Sequence, residues 1–220
     1  MLGPHGSPPR TWCGAGPGGV EKADMPRRLS TFLIAATLAG CGGAPEADAA
    51  PCVPLDARKP VAPGATAQAF LDAHNLVRSG CGVTISPAPA PALPLLEWSA
   101  SAAAVAQAWA ASCAWSHNPG RGSDGVARGE NIAASTGGLG AAAAVEMWAG
   151  EWRHYAYRSD TCAAGEQCGH YTQLVWRGTT RVGCATARCT TGSPFTGSSS
   201  WTFVVCDYEP PGNFRGQQPY

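Results

Sequence analysis

Gly169-His170-Tyr171-Thr172-Gln173-Leu174-Val175-Trp176 opens the last third of this chain. Its aromatic and β-branched content behind a leading glycine reads as a short strand over residues 170–176. Two runs of the same kind follow, at 182–187 and 201–208, bounded by Gly, Ser or Pro. Residues 193–200 between them read as a flexible hairpin loop. Upstream the spacing is helical. From about Thr66, Phe70, Leu71, His74 and Val77 or Arg78 fall at three- and four-residue steps, and Gly80 ends the pattern. Residues 86–94 are a Pro/Ala loop extended by its prolines. Residues 99–112 predict an alanine-dominated helix that can pack closely, with Val105 and Trp109 four apart. Residues 139–153 predict another, with Val145, Trp148 and Trp152 on one stripe. Residues 116–129 between them are a polar, Gly-rich loop. Helices first and strands later predict an α+β fold, an antiparallel sheet covered by helices.

Composition narrows the function classes. Apolar residues make up 45% and charged residues 14% of 220, with no net charge. That supports a real core and offers nucleic acid no electrostatic attraction. Ten cysteines are many for this length, and paired zinc-type clusters are absent, so disulfides in an oxidising compartment are expected. An export signal agrees. Met25-Pro26-Arg27-Arg28 is basic, Leu29 to Leu38 is mostly apolar, and Leu38-Ala39-Gly40-Cys41 follows. The tetrapeptide resembles a bacterial lipobox, which implies a lipid on the sulfur of Cys41 and a membrane anchored through it. The alternative is an ordinary signal cut near Ala49-Ala50. Residues 1–24 then read as a misassigned start or an extension, 25–40 as the lipoprotein signal, 41–64 as a flexible tether and 65–220 as one domain.

Four segments, in order, resemble the CAP superfamily of cysteine-rich secretory proteins and plant class-one pathogenesis-related proteins. His74-Asn75-Leu76-Val77-Arg78 is similar to its first-helix motif and Gly129-Glu130-Asn131-Ile132 to its second. The octapeptide at 169–176 is similar to its long signature, and Val205-Cys206-Asp207-Tyr208-Glu209-Pro210-Pro211-Gly212-Asn213-Phe214 to its C-terminal one. The family usually has an uncharged or basic residue where Asp207 stands. The ending is similar to the plant subgroup. The resemblance covers about residues 66–220 and implies a three-layer α-β-α sandwich with a mostly antiparallel sheet. It implies the disulfides Cys113–Cys189, Cys162–Cys168 and Cys184–Cys206; Cys52 and Cys81 then pair by elimination. His74, Asn75, Arg78, Asn131, Gln173, Trp176 and the turn residue Asn213 carry the motifs structurally.

The resemblance also implies that His117, Glu130, Glu151 and His170 converge in a cleft. Neutral imidazoles suit zinc and similar divalent ions, so His117 and His170 are candidate ligands, with Glu130 and Glu151 acting through water or fixing the tautomers. Two histidines alone make a weak site, and the same four groups can equally form a hydrogen-bond network that braces the fold. Were the chain an enzyme, Glu130 and Glu151 would be its acid–base groups. Ser116 beside His117 gives no triad geometry by adjacency, so a non-catalytic module is the leading expectation. His154 reads as surface, and the tryptophans as core or cleft wall. Family members suggest a lipid or sterol-like ligand. The alternatives are a metal-dependent, peptidase-like hydrolase, or a host-interaction protein whose residues 210–220 are released as a signal. Localisation is expected at the cell envelope or outside; the oligomeric state is open.

Overall fold

The computed structural model describes residues 60 and 62–220, apart from 82 and 84. The extension, the signal segment, Cys41, Cys52 and nearly all of the tether lie outside the described residues. In chain order the elements are α1 (Ala65–Arg78), β1 (Glu97–Trp98), α2 (Ala100–Ser112), β2 (Gly129–Ser135), α3 (Ala141–Ala149), a 3-10 turn (Gly150–His154), β3 (Tyr155–Ala156), β4 (Thr161–Cys162), α4 (Gly169–Leu174), β5 (Arg181–Cys189) and β6 (Trp201–Glu209). Four strands form one sheet in the order β1-β5-β6-β2. Its two long pairings are antiparallel and the two-residue β1 joins β5 in parallel. β3 and β4 form a separate ribbon. No described helix is long and apolar enough to cross a membrane.

β6 is buried at every position, because both faces of the sheet are covered and a strand buried on both faces is a nearly continuous apolar run. On one face lies α2. Its Ala106 and Ala110 pack on Ile132, Ala185, Phe203 and Val205. On the other face α1, α3 and α4 bring Phe70, Leu71, Val145, Trp148 and Leu174 against Val182, Val204 and Tyr208. The result is an α+β sandwich of three layers. α2 starts where the Ser99 side chain accepts from Ala102 N at 3.2 Å, a helix N-cap. It lies so close to β5 that a Cβ on Gly183 would stand 2.5 Å from Ser99 O and 2.7 Å from the Ala102 carbonyl carbon.

Two expectations need correction. Residues 170–176 are not a strand, since Gly169–Leu174 is a six-residue helix. The Glu151 carboxylate accepts the backbone N–H groups of His170 and Tyr171. This remote cap outweighs the strand preference of the side chains. The second alanine-rich helix is also shorter than 139–153. It ends at Ala149 and tightens into the 3-10 turn from Gly150.

Among the described residues three disulfides are joined as Cys113–Cys189, Cys162–Cys168 and Cys184–Cys206, the pairs the resemblance implies. The first ties the end of α2 to the end of β5, and the last links directly opposed residues of β5 and β6. Cys81 is disulfide-bonded.

Gly183→Ala should lower folding stability by about 1–3 kcal/mol, because the added methyl meets helix backbone rather than a movable side chain. Chemical denaturation of the two proteins measures this; an unchanged midpoint would mean α2 stands further from the sheet than described.

Candidate functional site

The motif residues build a scaffold beneath the cleft. Arg78 is buried and donates to Pro94 O, Leu174 O, Trp176 O and Thr179 O at 2.8–3.2 Å, tying α1 to the end of α4. Asn75 bonds both backbone groups of Leu96. His74 bonds Phe70 O and Tyr208 Oη at 2.7 and 2.9 Å. Burial pushes its pKa down to about 4, so it is neutral, donating from Nδ1 to Phe70 O and accepting at Nε2 from the tyrosine. Asn131 Nδ2 donates to both Tyr208 Oη and His170 O at 3.1 Å, carrying the network from α1 to the cleft. Gln173 accepts from Gly212 N and donates to Thr179. Asn213, at φ 60°, accepts from Thr172 Oγ1 and donates to Gly169 O. Trp176 is buried and packs near Phe214.

Two carboxylate–imidazole pairs sit above this scaffold. Glu130 Oε1 accepts from Asn118 N at 2.9 Å and meets His117 Nδ1 at 2.6 Å. Glu151 Oε2 accepts from His170 N and Tyr171 N at 3.0 and 3.1 Å, while its Oε1 meets His170 Nδ1 at 2.5 Å. Glu130 already accepts one backbone N–H and Glu151 two, so in each pair the imidazole donates from Nδ1. That tautomer leaves Nε2 as a lone pair. The loop carrying His117 is fastened by Arg128, whose buried guanidinium bonds Asp124 at 2.7 and 2.8 Å and Glu209 at 2.8 Å. His170 stacks on Trp148 with ring centroids 6.2 Å apart.

The pairs approach from opposite sides of β2. His117 and His170 both line a cavity of about 390 Å³ with Glu130, Asn131 and Asn213. Both also line a neighbouring cavity of about 470 Å³ whose walls include Trp115, Met147, Trp148 and Glu151. The four sequence-predicted groups are thus brought together around one opening. They are not a tight ligand cluster. Among the described residues, the only set of three His, Cys, Asp or Glu with ligand atoms within 4.8 Å of one another is His74, Cys184 and Cys206, and those two sulfurs form a disulfide. His154 lies away from this opening, 3.7 Å from Glu166.

One buried group was not assigned to the site from sequence. Asp207 has no solvent exposure, and neither of its carboxyl oxygens has a hydrogen-bond partner, nor does Glu130 Oε2. Asp207 and Glu130 are opposed across β6 and β2. Burial, and then the neighbouring Glu130, push the Asp207 pKa up to about 8. Its departure from the usual residue was visible in sequence; its lack of partners is a property of the packed sheet.

The sequence model described as the cysteine-rich secretory protein family, CAP, matches residues 71–208. Pathogenesis-related protein 1A of Nicotiana tabacum is 42% identical over 158 residues, covering 70% of this chain and 80% of that protein. The crystal structure of NaASP2 with Zn2+ is 27% identical and superimposes with a TM-score of 0.53 over 73% of this chain and 90% of that one. Venom allergen-like protein 4 of Schistosoma mansoni shares the fold, with a TM-score of 0.56 at 24% identity over 72% of this chain and 95% of that one.

Asp207 gives a pH signature. A carboxyl whose folded pKa lies above its unfolded value binds its proton more tightly in the fold. Its contribution is therefore complete below about pH 4 and is lost as pH rises toward 8. Asp207→Asn removes that slope. The variant should gain about 1–3 kcal/mol on the wild type between pH 5 and pH 8 in matched denaturation curves; a constant difference would show that Asp207 is ordinary.

Proposed function

Because the chain belongs to the cysteine-rich secretory protein family, we propose that it is an exported, non-catalytic binding module for a lipid or similar apolar molecule, with a separate cleft for a divalent ion. One observation carries the first part. Between α1 and α3 lies a cavity of about 490 Å³ lined by Ala69, Ala73, Leu76, Val77, Val145 and Ala149, with Asp72 and Glu146 as its charged groups. Small side chains on both helices leave the space, and its size and apolar lining suit a small ligand. Export follows from the signal at 25–40, and lipidation at Cys41 would hold the module at the envelope.

The residues at the cleft fit a divalent ion such as zinc. His117 and His170 each have Nδ1 occupied by a carboxylate and Nε2 free, the state a metal-binding imidazole requires. These two would hold the ion, and Glu130 and Glu151 would fix their orientation. Bound there, a divalent ion would polarise a water or a ligand oxygen. A relative that shares this fold, NaASP2, was crystallised with Zn2+.

The hydrolase alternative has less support. Both Glu151 oxygens and Glu130 Oε1 are spent on holding imidazoles and backbone, and Glu130 Oε2 is buried. The released-tail alternative meets a docked C-terminus. Arg177 N donates to Pro219 O at 2.6 Å, Gln218 Nε2 to Tyr157 O at 2.7 Å, and Tyr157 Oη to Tyr220 O. Tyr157 and Tyr220 also stack at 4.6 Å.

Palmitate is a direct probe of the groove. It should bind the purified chain, and Ala142→Trp, which fills the groove from its α3 wall, should weaken binding at least tenfold with an unchanged melting temperature; equal binding would place the lipid elsewhere. Zinc titration followed by calorimetry should show one ion per chain. His117→Ala or His170→Ala should abolish it, and Glu151→Gln should weaken it about 10–100-fold. Undiminished binding in both histidine variants would contradict the cleft assignment.

A further inference from the structure

Among the described residues β2 is the last strand of the sheet and pairs with β6 alone. Hydrogen bonds elsewhere fix which of its backbone groups point outward. Val182 O accepts from Ser99 N at 2.9 Å on the β1 side, so even-numbered residues of β5 face β1 and odd-numbered ones bond β6. The register carries this alternation across. Gly183 pairs with Asp207 and Ala185 with Val205, which leaves the even-numbered residues of β6 to bond Asn131 and Ala133. Glu130, Ile132 and Ala134 therefore turn their N–H and C=O groups away from the sheet. Trp148 Nε1 donates to Ile132 O at 3.1 Å from that outer side, as this alternation requires.

The outward edge is the floor of a groove. Residues 132–134 line the 470 Å³ cavity, which shares His117, Gln167 and His170 with the 390 Å³ cavity beside Glu130 and Asn131. Exposed apolar side chains stand on either side. Trp115 is 42% exposed and Met147 54%. Trp115 is itself anchored edge-on against Trp201 and Phe203 on the α2 face, while Met147 belongs to α3 on the other face.

The floor selects the occupant. An acyl chain lying here would strip water from the outward N–H of Ile132 and from the N–H and C=O of Ala134 without replacing their bonds. Each loss costs about 1–3 kcal/mol. An extended peptide offers the opposite row of dipoles at the same spacing of about 6.8 Å. We propose that this groove binds an extended peptide segment along the outer edge of β2, its backbone bonded to the N–H of Ile132 and to the N–H and C=O of Ala134, since Trp148 already holds Ile132 O, and its alternate side chains resting against Trp115 and Met147. The site is distinct from the α1–α3 cavity and needs neither metal nor catalysis.

The test uses the whole exported chain, 15N-labelled, with the hexapeptide acetyl-Lys-Val-Ala-Val-Ala-Lys amide as probe. Two further peptides carry N-methyl groups along one edge or the other. In the free protein, the amides of Asn131 and Ala133 should exchange slowly and those of Ile132 and Ala134 quickly. The parent peptide should shift the Ile132 and Ala134 resonances and slow their exchange at least tenfold. One N-methylated peptide should bind at least tenfold more weakly and the other like the parent. Ala134→Pro, tolerated at a strand edge, should weaken the parent by a similar factor. The proposal is overturned by uniform slow exchange along β2, by no shift at about 1 mM peptide, or by equal binding of both N-methylated peptides, which would mean apolar adsorption.

Discussion

A carboxylate held between backbone N–H groups and the Nδ1 of an imidazole occurs twice in this protein, once on each side of β2. Glu151 illustrates what the arrangement achieves. Its three accepted bonds satisfy orphan donors at the start of α4, place negative charge where a helix terminus favours it, and set the tautomer of His170. A six-residue helix is too short to persist on propensity alone. The cap makes it possible, and the helix in turn delivers Leu174 and Tyr171 to the core and Thr172 to Asn213. Glu130 does the parallel service for the loop ending at β2. The site and the local fold are therefore one construction, and a variant of either glutamate alters both.

The scaffold beneath is a relay of buried polar groups. His74 is neutral, bonded to Tyr208, which is bonded to Asn131, which holds the carbonyl of His170. Such networks are stable only when fully satisfied, and this one is. Asp207, opposite Glu130, is the contrast: a buried carboxyl without a hydrogen-bond partner among the described residues that rests in the fold as the neutral acid. The apolar groove between α1 and α3 lies apart from both, which lets ligand binding there and chemistry in the cleft vary independently.

Much of the fold was legible because its signals are local. The alanine-rich run over 99–112, with Val105 and Trp109 four apart, announces α2, and Gly80 the end of α1. The residues of β5 and β6 read as strands because they are short β-branched or aromatic runs bounded by Gly, Ser or Pro. The octapeptide from Gly169 misled, since its helix is nucleated by Glu151, far away in sequence and invisible to any window. The strand at Gly129–Ser135 went unread for a related reason: as an edge strand beside a cleft it mixes polar site residues with small apolar ones and shows no clean alternation. The four site residues could be named from the motifs, but not their pairing. That Glu130 belongs to His117 and Glu151 to His170 depends on how β2 and the turn after α3 face each other.

Everything proposed for the cleft requires both imidazoles to carry their proton on Nδ1 and leave Nε2 unprotonated. Long-range 1H–15N correlation spectra of the imidazole rings at neutral pH read this directly. His117 and His170 should both show a protonated Nδ1 and a pyridine-like Nε2, with the signals reporting the bonds to Glu130 and Glu151. A protonated Nε2 with a bare Nδ1 in either ring would overturn this, because the carboxylate would then not hold that imidazole and Nε2 could not act as a ligand.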